Sequence, residues 1–158
     1  MNSALERLLG LRVEDVMNRE VAALSKDSTM AEAAKLLVGQ AVSGAPVVDQ
    51  QGHCVGVLTA TDFLRYDMPG RHPDPQAGVS ATKGREGAGA CCAVDATVAD
   101  WMARTVQTVR GNDSILSAAR LMCGSHIHRL FVTDEERKPI GVVSTLDLVS
   151  AMVQAFEE

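Results

Sequence analysis

The sequence predicts a mixed α/β (α+β) protein built from two tandem β-α-β-β-α units. The first observation is an internal repeat, because Val13–Leu64 aligns with Val98–Val149 without a gap at an offset of 85 residues. The second is that each copy contains one stretch whose apolar residues recur at spacings of three and four, as in a helix, together with short apolar runs typical of strands. The third is size, since a copy of about 55 residues buries too little apolar surface to be stable alone. The two copies are therefore expected to pack together.

Each copy is predicted to open with a short strand, followed by a helix, two strands joined by a polar turn, and a second helix. The predicted strands are Val21–Leu24, Ala45–Val48 and Cys54–Thr59 in the first copy, and Val106–Val109, Leu130–Thr133 and Pro139–Ser144 in the second. The predicted helices are 30–41 and 115–125, with final helices that begin near Thr61 and Thr145. Thr29 and Glu32 form a capping-box pattern, and Asp113 or Ser114 can cap the equivalent helix.

Four segments follow from this pattern. Residues 1–12 are predicted to be an N-terminal helical segment, 13–68 the first repeat and 98–158 the second. Residues 69–97 lack periodicity and are rich in Gly, Pro and Ala, so we expect a flexible linker there.

Composition excludes several classes of protein. The 158 residues are 46% apolar and carry a formal net charge of −5, which is typical of a globular chain and argues against general nucleic-acid binding. No apolar run approaches the length of a membrane span, and the N-terminus lacks the pattern of a secretory signal. We expect a cytoplasmic protein that binds neither nucleic acid nor membrane.

The cysteines and histidines give no pattern of a metal site or a disulfide framework. Cys54, Cys91, Cys92 and Cys123 have no CxxC spacing, which suits a reducing compartment. Zinc binding and redox regulation by the vicinal Cys91 and Cys92 remain open alternatives. Cys123 is expected in the core, because its helix neighbours are apolar. His126 and His128 are expected to share a face of an extended segment.

The stretch "GVLTATDFL" recurs as "GVVSTLDLV", and each contains a hydroxyl residue followed three positions later by an aspartate. In one interpretation, Thr59 with Asp62 and Ser144 with Asp147 are capping boxes in which Asp replaces the preferred Glu. In the other, a helix N-terminus attracts an anion while the carboxylate accepts hydrogen bonds from a vicinal diol such as ribose. The two interpretations are compatible, because a cap can also line a cleft.

The duplicated G-apolar-apolar-(T/S)-x-x-D motif resembles that of a cystathionine β-synthase (CBS) domain pair, also called a Bateman module. "VEDVM" and "VADWM" resemble the opening segment of that family, and "GAPVVD" resembles its "xxPVVD" strand. The resemblance covers residues 13–64 and 98–152. It implies a stand-alone pair of CBS repeats packed with pseudo-twofold symmetry, with two clefts that bind AMP, ADP, ATP or S-adenosylmethionine.

The same resemblance implies a role for each motif residue. Asp62 and Asp147 would take the ribose hydroxyls, and Thr59 and Ser144 would lie near ribose or phosphate. The chain around Val21 and Val106 would contact adenine. Arg19 and Arg104, which lie near the predicted first strands, would add positive charge.

The two clefts are expected to differ in charge. In this family the aspartate of one repeat shares a cleft with the residues that precede the second strand of the other. Thr59 and Asp62 are therefore predicted to bind phosphate together with His128 and Arg129, because a guanidinium can grip phosphate with two donors. Ser144 and Asp147 would share the other cleft with Ser43 and Gly44, which carry no charge and suit a less charged ligand.

Binding without turnover is the expected activity, because the sequence contains no Walker loop, G-x-S-x-G motif or triad order. The chain would act as a regulatory sensor of adenosine nucleotides that is read by an effector protein. The alternative is a structural or dimerisation module with vestigial clefts. A homodimer is expected through apolar residues of the helices that follow each motif. These residues are Phe63, Leu64, Leu148, Val149, Met152 and Val153.

Overall fold

The computed structural model describes residues 2–67 and 96–157. Nearly all of the predicted linker, including Cys91 and Cys92, lies outside the described residues. The first described part contains α1 (Asn2–Gly10), α2 (Val13–Val16), β1 (Leu24–Ser25), α3 (Met30–Gly39), β2 (Gly44–Val48), β3 (Cys54–Thr59) and α4 (Ala60–Tyr66). The second contains α5 (Val98–Trp101), β4 (Thr108–Arg110), α6 (Ile115–Ser125), β5 (Arg129–Thr133), β6 (Pro139–Ser144) and α7 (Thr145–Glu157).

Each repeat contributes one three-stranded sheet, so the predicted mixed α+β fold with two tandem β-α-β-β-α repeats is confirmed. The strand orders are β1-β2-β3 and β4-β5-β6. β1 is parallel to β2, and β4 is parallel to β5, because a helix crosses over between the members of each pair. β5 and β6 are antiparallel and form the predicted hairpin.

The crossover helices form where the apolar spacing predicts them. The Thr29 hydroxyl oxygen accepts a hydrogen bond from the Glu32 amide (3.2 Å), and the Glu32 carboxylate accepts one from the Thr29 amide (3.0 Å), which confirms the capping box at the start of α3. At the start of α6, the Ser114 hydroxyl oxygen accepts a hydrogen bond from the Ser117 amide at 3.1 Å. A hydroxyl oxygen thus caps the start of both helices, and α3 adds the reciprocal bond to the Glu32 carboxylate.

The predicted first strands are misplaced. Val21 and Val106 were expected to begin them, but β1 contains only Leu24 and Ser25, and β4 begins at Thr108. Both valines therefore lie in the irregular segments that precede the strands. The position of each first strand is set by its parallel pairing, such as Leu24 with Val47, rather than by the local apolar run.

The described chain forms two compact units that do not coincide with the sequence repeats. One unit consists of Met1–Val21, Gly52–Cys54 and Gln107–Glu158, and the other of Ala22–Gln51 and Val55–Val106. The opening segment of each sequence repeat thus belongs to the unit that contains the sheet of the other repeat. In the first unit, Val13 and Met17 join a core with Leu130 and Val143.

The second unit shows the same exchange of the opening segment. Val98 is fully buried, and it packs in a core with Leu24, Val47 and Leu58 of the first repeat's sheet. The apolar residues of the opening segments are therefore core residues. Their contribution to stability comes from the burial of their apolar surface against the other repeat's sheet.

Each exchanged segment also pairs with the edge strand of its sheet. Ala103 and Val57 exchange two backbone hydrogen bonds of 2.9 and 3.0 Å, and Asn18 and Val142 exchange two of 2.8 and 2.9 Å. These bonds satisfy backbone groups on β3 and β6 that would otherwise be exposed at the sheet edges. The pairs occupy equivalent positions in the two repeats.

The pairing brings backbone close to the glycine of each repeated motif. A Cβ atom added to Gly56 would lie 2.4 Å from the Met102 sulfur and 2.9 Å from the Ala103 carbonyl oxygen. At Gly141, the corresponding distances are 2.5 Å to the Met17 sulfur and 3.1 Å to the Asn18 carbonyl oxygen. The motif glycines are therefore required by the close approach of the exchanged segments.

Two of the residues predicted to form a dimer surface belong instead to the cores. Leu148 is buried in the core of the first unit, and Phe63 packs against the core of the second. Each occupies the inward-facing side of its helix. The others remain on the surface, with Leu64 67% exposed and Val149 52% exposed.

Candidate functional site

The first repeat forms an acidic turn where β3 ends and α4 begins. The Asp62 Oδ2 atom accepts a hydrogen bond from the Thr59 amide at 2.8 Å and another from the Thr59 hydroxyl at 3.1 Å. Asp62 is only 5% exposed, although it is charged. Its Oδ1 atom lies 3.7 Å from the Arg65 guanidinium, whose side chain is 55% exposed.

The second repeat forms the equivalent turn where β6 ends and α7 begins. The Asp147 Oδ2 atom accepts hydrogen bonds from the Ser144 amide at 2.7 Å and from the Ser144 hydroxyl at 2.8 Å. The Ser144 hydroxyl oxygen also accepts a hydrogen bond from the Asp147 amide at 3.3 Å. The capping-box interpretation is thus correct for both turns, since each aspartate holds the residue that precedes its helix.

The residues at the start of the second strand of the first repeat lie beside the acidic turn of their own repeat. The Ser43 carbonyl oxygen accepts a hydrogen bond from the Ala60 amide at 2.9 Å. A Cβ atom on Gly44 would lie 3.2 Å from the Leu58 carbonyl oxygen and 3.3 Å from the Thr59 methyl group. The first turn is therefore flanked by small, uncharged residues.

The equivalent positions in the second repeat carry charge. The His128 carbonyl oxygen accepts a hydrogen bond from the Thr145 amide at 3.0 Å, and Arg129 lies directly opposite Ser144 in the sheet. Both side chains are exposed. A common phosphate site was predicted for these two residues with Thr59 and Asp62. Those residues belong to the other unit, and the common site stays a prediction.

Four other predicted site residues lie in the segments between the opening helices and the first strands. Arg19 is exposed and donates a hydrogen bond to the Glu14 carbonyl oxygen at 3.3 Å. Arg104 is also exposed, whereas Val21 and Val106 are partly buried. Arg19 and Val21 precede β1, and Arg104 and Val106 precede β4. Each segment therefore places one basic and one apolar side chain just before a strand.

Arg65 also belongs to the first turn, although the sequence patterns above did not single it out. It stands three residues after Asp62, which places both side chains on one face of α4. The equivalent residue after Asp147 is Ser150, so only the first repeat has a cation at this position. The aspartate-x-x-arginine spacing in "TDFLR" is the signal that would have found it.

Two predictions about the histidines and cysteines are wrong. His126 does not lie in an extended segment, because it has a left-handed conformation (φ 52°) and its amide caps α6 by donating to the Met122 carbonyl oxygen. Cys123 is exposed rather than in the core, since it lies on the outer side of α6. Among residues 2–67 and 96–157, no three His, Cys, Asp or Glu side chains cluster in a way that would hold a metal ion.

The membrane prediction can be compared with the helices directly. Within the two described ranges, no helix has the length and apolar character needed to cross a membrane. The longest described helix, α7, has 13 residues, whereas a membrane-spanning helix needs about 20.

Two relatives show how the chain compares with longer proteins. It is 26% identical over 148 residues to an uncharacterized protein of Methanocaldococcus jannaschii, a match that covers 94% of this chain and 42% of the relative. It is 30% identical over 177 residues to the chloroplastic CBS domain-containing protein CBSX2 of Arabidopsis thaliana, covering 99% of this chain and 70% of the relative. The chain thus spans less than half of the first relative.

A solved structure and a family model agree on the fold. The crystal structure of CBSX2 in complex with AMP superimposes with a TM-score of 0.71 at 28% identity, covering 94% of this chain and 100% of that chain. The model of the CBS domain matches residues 13–69 and 98–154, which contain both acidic turns. The chain therefore belongs to the CBS domain family and carries two tandem copies of that domain.

Proposed function

We propose that this chain is a regulatory module that binds an adenosine-containing ligand at its acidic turns. The observation that carries the proposal is that both turns use Asp Oδ2 for their internal hydrogen bonds. The second carboxylate oxygen of each aspartate is then the acceptor for ribose hydroxyls, which are two adjacent donors. The AMP bound to CBSX2, a relative of the same family, supports this class of ligand.

Basic side chains also stand beside the second turn. α7 has 13 residues, and its N-terminus carries the positive end of a helix dipole. Arg129 stands opposite Ser144 in the sheet, and a guanidinium can donate two hydrogen bonds to a phosphate. We propose that His128 and Arg129 bind phosphate groups of AMP, ADP or ATP, whereas Ser43 and Gly44 contribute no charge to ligand binding.

Arg19, Arg104, Val21 and Val106 complete the proposed site residues. An exposed guanidinium in each irregular segment suits a phosphate, and a partly buried valine suits the apolar face of adenine. Asn18 and Ala103, the neighbours of Arg19 and Arg104, are hydrogen-bonded to β6 and β3. A ligand held by these segments would therefore act on the strand that leads to the acidic turn of the same unit.

We propose that the chain acts as a homodimer. Four exposed apolar residues of α7 recur at spacings of three, four and three residues, which is the pattern of a helix that packs against another helix. These residues are Leu146 (74% exposed), Val149 (52%), Val153 (49%) and Phe156 (67%). Light scattering tests the proposal, with a monomer of wild type contradicting it and dissociation of Val149→Glu supporting it.

The chain is proposed to signal through an effector protein and not by catalysis. A ligand shifts the balance of two conformations only by its difference in affinity for them, so the effector must recognise one of the two. Prolonged incubation with ATP and analysis of the products tests the absence of turnover. Formation of ADP or AMP at a rate that Asp147→Asn abolishes would contradict it.

A structural role without ligand is favoured by one observation. Both aspartates already close their own helices, with donor distances of 2.7 to 3.1 Å. In that case the motif persists because it begins α4 and α7. Vestigial clefts would leave the melting temperature unchanged by every nucleotide tested.

Titration of the folded protein with AMP and ATP separates the two functions. A ligand that binds the native state raises its stability by RT ln(1 + [L]/Kd), which is about 2.7 kcal/mol at one hundred times Kd. We expect such stabilisation in wild type and a loss of at least about tenfold in affinity in Asp147→Asn, because the diol loses a charged acceptor. Arg129→Ala should weaken AMP but not adenosine. Equal affinity of wild type and Arg129→Ala for AMP would contradict its phosphate role.

A further inference from the structure

The two acidic turns differ in the side chain that follows each aspartate by one helical turn. In the first repeat, the Arg65 Nη1 atom lies 3.7 Å from Asp62 Oδ1. In the second, the equivalent position is Ser150, an exposed residue without charge. The hydroxyl residue and the aspartate form matching hydrogen bonds in the two turns, so this position is a difference of charge between them.

The contact between Arg65 and Asp62 is an ion pair that a ligand can open. At 3.7 Å the two atoms are farther apart than in a charge-assisted hydrogen bond, which is about 2.7–2.9 Å long. The Arg65 side chain is 55% exposed, and exposed pairs of this kind contribute little to stability. Asp62 Oδ1 can therefore exchange the guanidinium for another donor at small cost.

Whether the Arg65 guanidinium finds a new anion after it leaves Asp62 depends on the charge of the ligand. Asp62 is 5% exposed and its carboxylate has Arg65 as the only cation within 4 Å among the described ion pairs. A neutral nucleoside that binds through its diol displaces this cation and offers no replacement. A nucleotide brings a phosphate, to which the released guanidinium can donate two hydrogen bonds.

We propose that Arg65 is a specificity residue that makes the first turn prefer phosphorylated adenosine ligands over uncharged ones. The proposal rests on the proposed function, because it assumes that Asp62 binds a ribose diol. The second turn, with Ser150, has no such internal cation to redirect. Its discrimination between nucleotide and nucleoside depends on residues outside α7.

Calorimetric titration with AMP and with adenosine tests the proposal in the Asp147→Asn background, which leaves the first turn as the acidic site. We expect Arg65→Ser to weaken AMP about three- to fivefold, as for a partly exposed ion pair. Adenosine should bind equally well or up to about threefold more tightly, because its competitor for Asp62 Oδ1 is gone. The ratio of the two dissociation constants is the decisive quantity.

Arg120→Ser is the matched control, because it removes an exposed arginine from α6 and changes the net charge equally. A ratio that changes equally in both variants would reduce the effect to general electrostatics and overturn the specificity role. An unchanged ratio in Arg65→Ser would also overturn it, while leaving ligand binding intact. Failure of the unmodified protein to bind either AMP or adenosine would instead overturn the proposed function. Thermal melting confirms that each variant is folded.

Discussion

Replacement of Gly56 by Ala tests whether the exchanged opening segment holds the first repeat's sheet together. The added methyl group would lie 2.4 Å from the Met102 sulfur and 2.9 Å from the Ala103 carbonyl oxygen. Met102 can rotate away, but Ala103 is fixed by its two hydrogen bonds to Val57. The backbone of the segment must therefore shift by several tenths of an ångström.

The expected cost follows from the kind of clash. Extra methyl or methylene groups in a packed core destabilise by about 1–3 kcal/mol, so Gly56→Ala should lower the melting temperature by about 2–12 °C. Gly39→Ala is the control within the same unit, because a Cβ atom there meets nothing within 4 Å. In α3 this change should stabilise by up to about 1 kcal/mol, since alanine favours helix more than glycine does.

The protein carries its own reporter for this experiment. Trp101 is the sole tryptophan, it precedes Met102, and its ring packs edge to face against Tyr66 with centroids 5.1 Å apart. Its fluorescence during urea unfolding should reveal early loosening of the opening segment in Gly56→Ala. If Gly56→Ala were as stable as Gly39→Ala, the close approach of the segment would not be a determinant of stability.

Two further changes test local features. Ala41→Gly should stabilise by about 0.5–1 kcal/mol in urea unfolding, because Ala41 has a left-handed conformation (φ 52°) that costs a Cβ-bearing residue about 1–2 kcal/mol, and destabilisation would contradict this. The hydrogen bond and negative charge of Glu136 raise the pKa of Lys138 above 10.5, so the pair stabilises below that pH and loses its effect as pH rises through the folded-state value. Glu136→Gln should return the pKa of Lys138 toward 10.5 in an NMR titration, and an unchanged value would exclude Glu136 as the cause.

The sequence was sufficient for the elements that have their own periodicity or polar boundaries. α6 and the strands β3 and β6 begin and end at the predicted residues, because apolar patterns and polar turns define them locally. The acidic turns were also predictable, since a hydroxyl and an aspartate at this spacing close a helix without outside help. Their hydrogen bonds confirm the prediction in both repeats.

The features that sequence did not reveal depend on contacts between distant residues. β1 consists of two residues, and its position is decided by pairing with Val47 and Val48 rather than by Val21. Cys123 has apolar neighbours along α6, yet it is exposed, because the buried side of the helix passes through Met122 and Ala118 instead. His126 likewise has a left-handed conformation because it is the residue that ends α6. The spacing of His126 and His128 in the sequence does not reveal this constraint.

The exchange of opening segments changes how variants of this chain should be understood. Met17 lies in the first sequence repeat, yet it packs against Gly141 on the strand that leads to Ser144 and Asp147. Met102 has the same relation to Gly56, and so to the strand that leads to the first acidic turn. A substitution in either opening segment therefore acts on the acidic turn of the other repeat. Because packed residues couple over short distances, the effects of Met17 and Asp147 substitutions should not be additive.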